Sequence, residues 1–127
     1  RGRSIKMFRR ILICDDQKLS SAMLKQMIYR NGDYIIVEVE DLKEAKNILA
    51  TNKENGKEFD FIIVSVTFKK EDLFDFLEDV NENEYEAEIA VAGAAGLEDD
   101  IINKALSLKV GKFLTKPYKE IEVRNFL

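Results

Sequence analysis

Short apolar runs and helical patterns alternate along the whole chain, and this alternation limits the fold more than any other feature. The first unit joins the apolar run ILIC at 11–14 to a helical pattern that begins at Leu19. Four similar units follow, with predicted strands at 34–39, 61–64, 89–92 and 112–115. Strongly apolar strands that alternate with helices are typical of a parallel sheet covered by helices on both faces. We therefore predict a doubly wound α/β domain.

The helices are predicted from apolar residues at intervals of three and four. The first helix is expected to end just before Gly32, and the fourth to follow a GAAG turn at 93–96 and to include Leu97. The last helix, at 119–127, is short, and we interpret it as truncated. The apolar residues of the first helix are expected to face the sheet together: Leu19, Met23, Leu24, Met27 and Ile28.

Composition narrows the class of protein. A chain of 127 residues favours one domain, and a net charge of −4 with a pI near 5.0 argues against nucleic acid as a direct partner. Cys14 is the only cysteine and there is no histidine, which excludes an internal disulfide and the commonest general base. No apolar run approaches the roughly 20 residues of a membrane span, so we expect a cytoplasmic protein. We assign 10–127 to the domain and 1–9 to a basic tail or a cloning remnant.

Polar and charged residues stand where the predicted strands end. Asp15 and Asp16 follow the first strand, Ser65 ends the third and Lys116 follows the fifth. In open parallel sheets the functional site lies beyond the carboxyl ends of the strands. Two adjacent carboxylates repel each other there, and a bound hard cation would hold them together. A helix N-terminus that favours acidic residues is the simpler alternative.

The order of these motifs resembles the receiver domain of bacterial response regulators, the CheY-like family. The resemblance runs from Ile11 to Leu127 and is carried by ILICDD, FDFIIV and LTKPY, each at a strand end or lead-in, and by the order of all ten elements. It implies a flavodoxin-like sheet with strand order 2-1-3-4-5, helices on both faces, and a role in two-component signal transduction or a phosphorelay.

The resemblance also implies roles for single residues. Asp15 and Asp16 match the acidic pair that holds Mg²⁺, and Lys116 matches the lysine that pairs with the phosphoryl group. Phe113 occupies the position of the switch aromatic, although plain packing is an alternative for it. Lys116 could likewise form a simple salt bridge to Asp16.

Two functional positions of the family carry unusual residues here. Counting five residues from Asp60 places Ser65 at the phospho-accepting aspartate, and Gly93, or Ala94 if the register slips by one, at the switch hydroxyl. Phe68-Lys69 stands at the Met-Pro pair of the family, and Leu73 at a glycine. We therefore interpret the chain as a pseudo-receiver that lacks the acceptor. One unit of charge at about 5 Å and an effective dielectric constant near 20 is worth roughly 3 kcal/mol, so the loss of one carboxylate should leave only weak Mg²⁺ binding.

These features predict a phosphorylation-independent module for protein–protein interaction, without enzymatic activity. The expected contact face consists of the fourth helix, fifth strand and fifth helix, and a homodimer stays open. Two alternatives remain: a switch that responds to Mg²⁺ or an anion, and a receiver phosphorylated by a non-standard route. An enzyme with Ser65 as nucleophile is disfavoured because no base is evident. The candidate contact residues are Lys104, Ser107, Lys112 and Tyr118.

Overall fold

The computed structural model describes residues 8–127, in which five strands and five helices alternate. The strands are β1 (Arg9–Cys14), β2 (Tyr34–Val39), β3 (Phe61–Ser65), β4 (Glu88–Ala94) and β5 (Lys112–Lys116). The helices are α1 (Lys18–Arg30), α2 (Leu42–Glu54), α3 (Lys70–Glu82), α4 (Asp99–Ser107) and α5 (Glu120–Phe126). None of the helices within the described part of the chain is long and apolar enough to cross a membrane.

The five strands form one parallel sheet in the order β2-β1-β3-β4-β5, which confirms the predicted fold. β1 lies between β2 and β3, with Ile13 opposite Glu38 of β2 and Ile63 of β3. Because the strands run in the same direction, the ends of β1, β3 and β5 reach the same edge of the sheet. Most of the predicted basic tail, residues 1–7, lies outside the described residues, and Arg9 already belongs to β1.

The apolar core has two layers, one on each face of the sheet. Leu12 and Cys14 of β1 contribute to the layer under α2, α3 and α4. Ile11 and Ile13 contribute to the other layer, which α1 and α5 cover. Successive residues of a strand point to opposite faces, so a strand buried on both faces is apolar throughout. This explains why β3 is buried at all five positions.

The first turn of α1 differs from the prediction. Leu24 and Ile28 are buried as expected, but Leu19 is 76% exposed and Met23 is 42% exposed. The buried stripe of α1 begins instead at Ser21, whose hydroxyl donates a 2.5 Å hydrogen bond to Glu38 at the polar end of β2. The expectation that Leu19 and Met23 face the core is therefore wrong, because this turn packs beside charged residues.

Two element boundaries also differ. α4 begins at Asp99, so Leu97 lies in the loop before it rather than in the helix. β5 continues through Lys116, which places this lysine on the last strand position instead of in the following turn. The peptide bond between Lys116 and Pro117 is cis.

Candidate functional site

Asp15, Ser65 and Lys116 meet at the carboxyl edge of the sheet, as their positions at strand ends predicted. The Nζ atom of Lys116 lies 2.9 Å from Oδ2 of Asp15 and 2.8 Å from Oγ of Ser65. The side chains of Asp15 and Lys116 are only 1% and 11% exposed. The salt bridge of Lys116 therefore forms with Asp15, not with Asp16 as the sequence alternative had it.

The ammonium group of Lys116 has no free donor. It carries three N–H groups, and they are directed at Asp15, Ser65 and the Oε1 atom of Gln17, the last at 3.2 Å. The second oxygen of Asp15 accepts a 2.9 Å hydrogen bond from the backbone N–H of Gln17. A buried ion pair is favourable only when hydrogen bonds satisfy its remaining groups, and Gln17 supplies two of them here.

The hydroxyl of Ser65 is also fully used. Its oxygen accepts hydrogen bonds from Lys116 and, at 3.2 Å, from the backbone N–H of Thr67. A hydroxyl has two acceptor lone pairs and one donor, so the hydrogen of Ser65 points to Oγ1 of Thr67, 2.7 Å away. Thr67 must then donate to Asp16, with which its hydroxyl is in hydrogen-bond contact. The result is a one-way chain of donors from Lys116 through Ser65 and Thr67 to Asp16.

Thr67 was missed by sequence reasoning. It lies two residues beyond the end of β3 and is exposed, but its hydroxyl joins Ser65 to Asp16. A signal for it was present, since serine and threonine hydroxyls often bond backbone groups two residues away at the end of a strand. The spacing Ser65-Val66-Thr67 is of this kind.

The residues at this edge do not fit a resident Mg²⁺. Such an ion prefers several oxygen ligands in a nearly octahedral arrangement. Asp15 is occupied by Lys116 and Gln17, Asp16 accepts from Thr67, and Ser65 offers a neutral oxygen with both lone pairs engaged. Among residues 8–127 no three acidic, histidine or cysteine side chains converge in a way that could hold a metal ion.

The backbone of Gly93 is tightly covered. Gly93 lies opposite Thr115 near the end of β4 and is buried, whereas Ala94 beside it is exposed. A β-carbon at Gly93 would lie 2.4 Å from Cγ2 of Val66 and 2.7 Å from Cδ2 of Leu97. These distances are shorter than real β-carbon contacts, so Val66 and Leu97 must shift before a side chain can fit at this position.

Phe113, on the edge strand β5, is half-buried and packs against the layer of core residues under α4. It also lines a small cleft of about 350 Å³ next to Gly93 and Leu97. This placement agrees with the simpler expectation that Phe113 is a packing residue.

Tyr118 does not belong to the candidate contact face. It is 7% exposed and packs in the core layer that α1 and α5 cover. Burial, and secondly the charge of Asp15, raises the pKa of its phenol. Together with Leu19, Met23 and Pro117 it lines a groove of about 480 Å³ beside α1. Its inclusion among the contact residues is thus corrected, because the residue after the Lys-Pro turn points inward.

The other three candidate contacts lie at the surface or close to it. Lys104 is half-buried and forms a 2.7 Å ion pair with Glu78, while the exposed Ser107 donates to the backbone oxygen of Lys104 at 2.7 Å. Lys112 is half-buried at the start of β5. The sole cysteine, Cys14, is fully buried, and burial raises the pKa of its thiol, so it takes no part in the site.

Comparison with known proteins agrees with this geometry. The family model of the response regulator receiver domain matches residues 11–127. The chain is 26% identical over 113 residues to the chemotaxis protein CheY of Bacillus subtilis, which covers 89% of each chain.

Solved structures with the same fold include the chemotaxis protein CheY4 of Vibrio cholerae, with a TM-score of 0.75 at 19% identity. That match covers 93% of this chain and 94% of the other. The receiver domain of the Francisella response regulator 1452 has a TM-score of 0.74 at 21% identity, with 92% and 91% covered. The sheet order, the residues gathered at its carboxyl edge and the matched family model lead to one conclusion: this chain belongs to the response regulator receiver domain family.

Proposed function

We propose that this receiver domain works as a phosphorylation-independent module for protein–protein interaction in two-component-type signalling. One observation carries the proposal: the Ser65 hydroxyl, at the position that resembles the phospho-acceptor, has every hydrogen-bonding site engaged. Neither lone pair of its oxygen is free to attack a phosphoryl group.

The chemistry of the acceptor position supports the same proposal. A carboxylate is already ionised at neutral pH, whereas a hydroxyl needs a base that removes its proton. Lys116 cannot serve, because its ammonium donates to Ser65 and is paired with Asp15. Asp16 is reached only through Thr67. We infer that the domain has no catalytic activity of its own.

The position of the switch hydroxyl also supports a phosphorylation-independent function. Gly93 carries no hydroxyl, and Val66 and Leu97 occupy the space above it. A phosphoryl group on β3 would therefore find no partner on β4 to pull inward, and Phe113 would receive no signal to move.

We place the contact surface for a partner protein on α4, β5 and α5. We keep Lys104, Ser107 and Lys112 as its contact residues and add Leu106 and Ile121, which are 58% and 55% exposed. We propose a protein partner in the cytoplasm, neither nucleic acid nor membrane, and self-association is one form that this interaction can take.

A switch that responds to Mg²⁺ or to an anion is less well supported. Both acidic residues of the pair already accept hydrogen bonds, and Lys116 has no donor left for an anion. We infer weak Mg²⁺ binding at Asp15 and Asp16. Calorimetric titration tests this: binding in the micromolar range would favour the switch.

The proposed function is tested by treating the protein with acetyl phosphate and with beryllofluoride, each with Mg²⁺. Intact mass and amide NMR spectra are the readouts, and the Bacillus subtilis CheY protein is treated in parallel as a control for the reagents. We expect no adduct on this chain and no change of the Phe113 signals. A stable adduct whose shifts reach Phe113 would overturn the proposal and favour phosphorylation by a non-standard route.

A further inference from the structure

The segment that joins β4 to α4, residues 95–98, is held against its neighbours by apolar side chains from two directions. Val66 follows β3 and Leu97 lies in the segment itself, and the side chains of both occupy the space that a β-carbon on Gly93 would need. Val66 packs against the core layer on the α4 side of the sheet, and Leu97 lines the cleft on the same side. Because Gly93 has no side chain, these two residues can close over the end of β4.

A cation on α3 holds the other end of this segment. Lys70 is the first residue of α3, and its Nζ atom lies 2.6 Å from Oε2 of Glu98 and 2.7 Å from Oδ2 of Asp100. Glu98 is the N-cap of α4 and Asp100 is in its first turn. Lys70 therefore ties α3 to both the last residue of the segment and the start of the helix.

A second pair joins the same two helices one turn further on. Lys104 of α4 lies 2.7 Å from Glu78 of α3 and 5.9 Å from the centre of the Phe74 ring. A single exposed ion pair contributes little to stability. Here the pairs act on one short helix whose preceding segment is already covered by Val66 and Leu97.

We propose that Val66, Leu97 and Lys70 form a strap that keeps the β4–α4 segment closed on α3. The strap sets α4 in one position, whatever the state of the pocket around Ser65. The contacts of Val66, Leu97 and Lys70 support the strap without the proposed function. A fixed α4 would keep the contact face always ready for a partner, and this consequence rests on the proposed function.

Amide hydrogen exchange of the whole chain tests the strap. Lys70→Met removes the charge and keeps the length of the side chain, and Lys46→Met is the matched control, because Lys46 pairs with Asp75 on the α2 side of α3. We expect Lys70→Met to raise exchange at residues 94–102 by about threefold to tenfold, since local opening governs these rates. We expect no such change there in Lys46→Met.

Val66→Ala separately tests the apolar contacts of the strap. It should raise exchange in the same segment, and Lys70→Met in the same chain should add to the effect. Equal exchange of residues 94–102 in the parent protein and in all three variants would overturn the strap, as would an increase spread evenly over all five helices. No phosphoryl donor or partner is used, so this result is independent of the test on Ser65.

Discussion

Lys116 and Asp15 form an ion pair with 2.9 Å between Nζ and Oδ2, and both side chains are almost completely buried. The pair joins β5 to the end of β1 across the site, over a sequence separation of 101 residues. The Ser65 hydroxyl lies between them in the sheet order and completes the coordination of the ammonium. The pair is thus a structural link in the centre of the site, and it can be tested as one.

Replacing Lys116 by Met should destabilise the domain strongly. The substitution leaves the Asp15 carboxylate buried without its cation, and breaking a buried pair in this way costs about 3 kcal/mol or more. Urea unfolding measures the loss. Lys104→Met is the control, because its ion pair with Glu78 is partly exposed and should contribute under about 1 kcal/mol. Similar losses in the two variants would contradict the structural role of Lys116.

Replacing Gly93 by Ala should also destabilise the domain. The added methyl group would meet Val66 and Leu97 at 2.4 Å and 2.7 Å, and overpacking of this kind costs typically about 1–3 kcal/mol. Adding Val66→Ala makes room and should recover part of the stability. The double variant then tests the cause: an unchanged loss would mean that the crowding does not come from Val66. Ala94→Ser, at the exposed neighbouring position, should be nearly neutral.

Replacing Ser65 by Asp should strengthen Mg²⁺ binding. The third carboxylate adds roughly 3 kcal/mol of attraction per unit of cation charge at about 5 Å and an effective dielectric constant near 20, and we expect a gain in affinity of about a hundredfold or more. Calorimetric titration compares this variant with the parent chain and with Ser65→Ala, which removes the hydroxyl without adding charge. We expect no gain for Ser65→Ala. Equal affinity in the Asp variant and the parent chain would contradict the prediction.

The stability of the domain should depend on pH through Glu38. Hydrogen bonds from Lys25 and then from Ser21 lower the pKa of this carboxyl from 4.5. A folded-state pKa below the unfolded value means that the contribution is present above about pH 4.5 and is lost as the pH falls through the folded-state pKa. The difference in unfolding free energy between the parent chain and Glu38→Gln should therefore shrink below pH 4.5. A difference that stays constant there would contradict it.

The fold was predictable because each strand is apolar on both faces and each is followed by a helical pattern. The same logic placed Asp15, Ser65 and Lys116 together, since parallel strands bring their ends to one edge. The face of α1 was not predictable from spacing alone. Leu19 fits the apolar period, but its turn lies next to Glu38, and only the tertiary structure shows that Ser21 takes the buried position.

Details of the site depended on groups that carry little signal in sequence. Thr67 has no charge and lies outside the strand, so its link to Asp16 appears only when the loop is folded. Gly93 was identified by counting, but its crowding by Val66 and Leu97 depends on where the β4–α4 segment lies. Tyr118 was placed on the wrong side because the turn after Lys116 directs it inward.

The three hydrogen bonds donated by Lys116 have a consequence for how the negative charge of the pocket is balanced. The positive charge in the pocket is the ammonium group of Lys116, which is part of the polypeptide and is present in every molecule. A chelator cannot remove this ammonium group, and it is present at any magnesium concentration in the cell. We therefore expect the arrangement of side chains at the carboxyl edge to form without a bound metal ion.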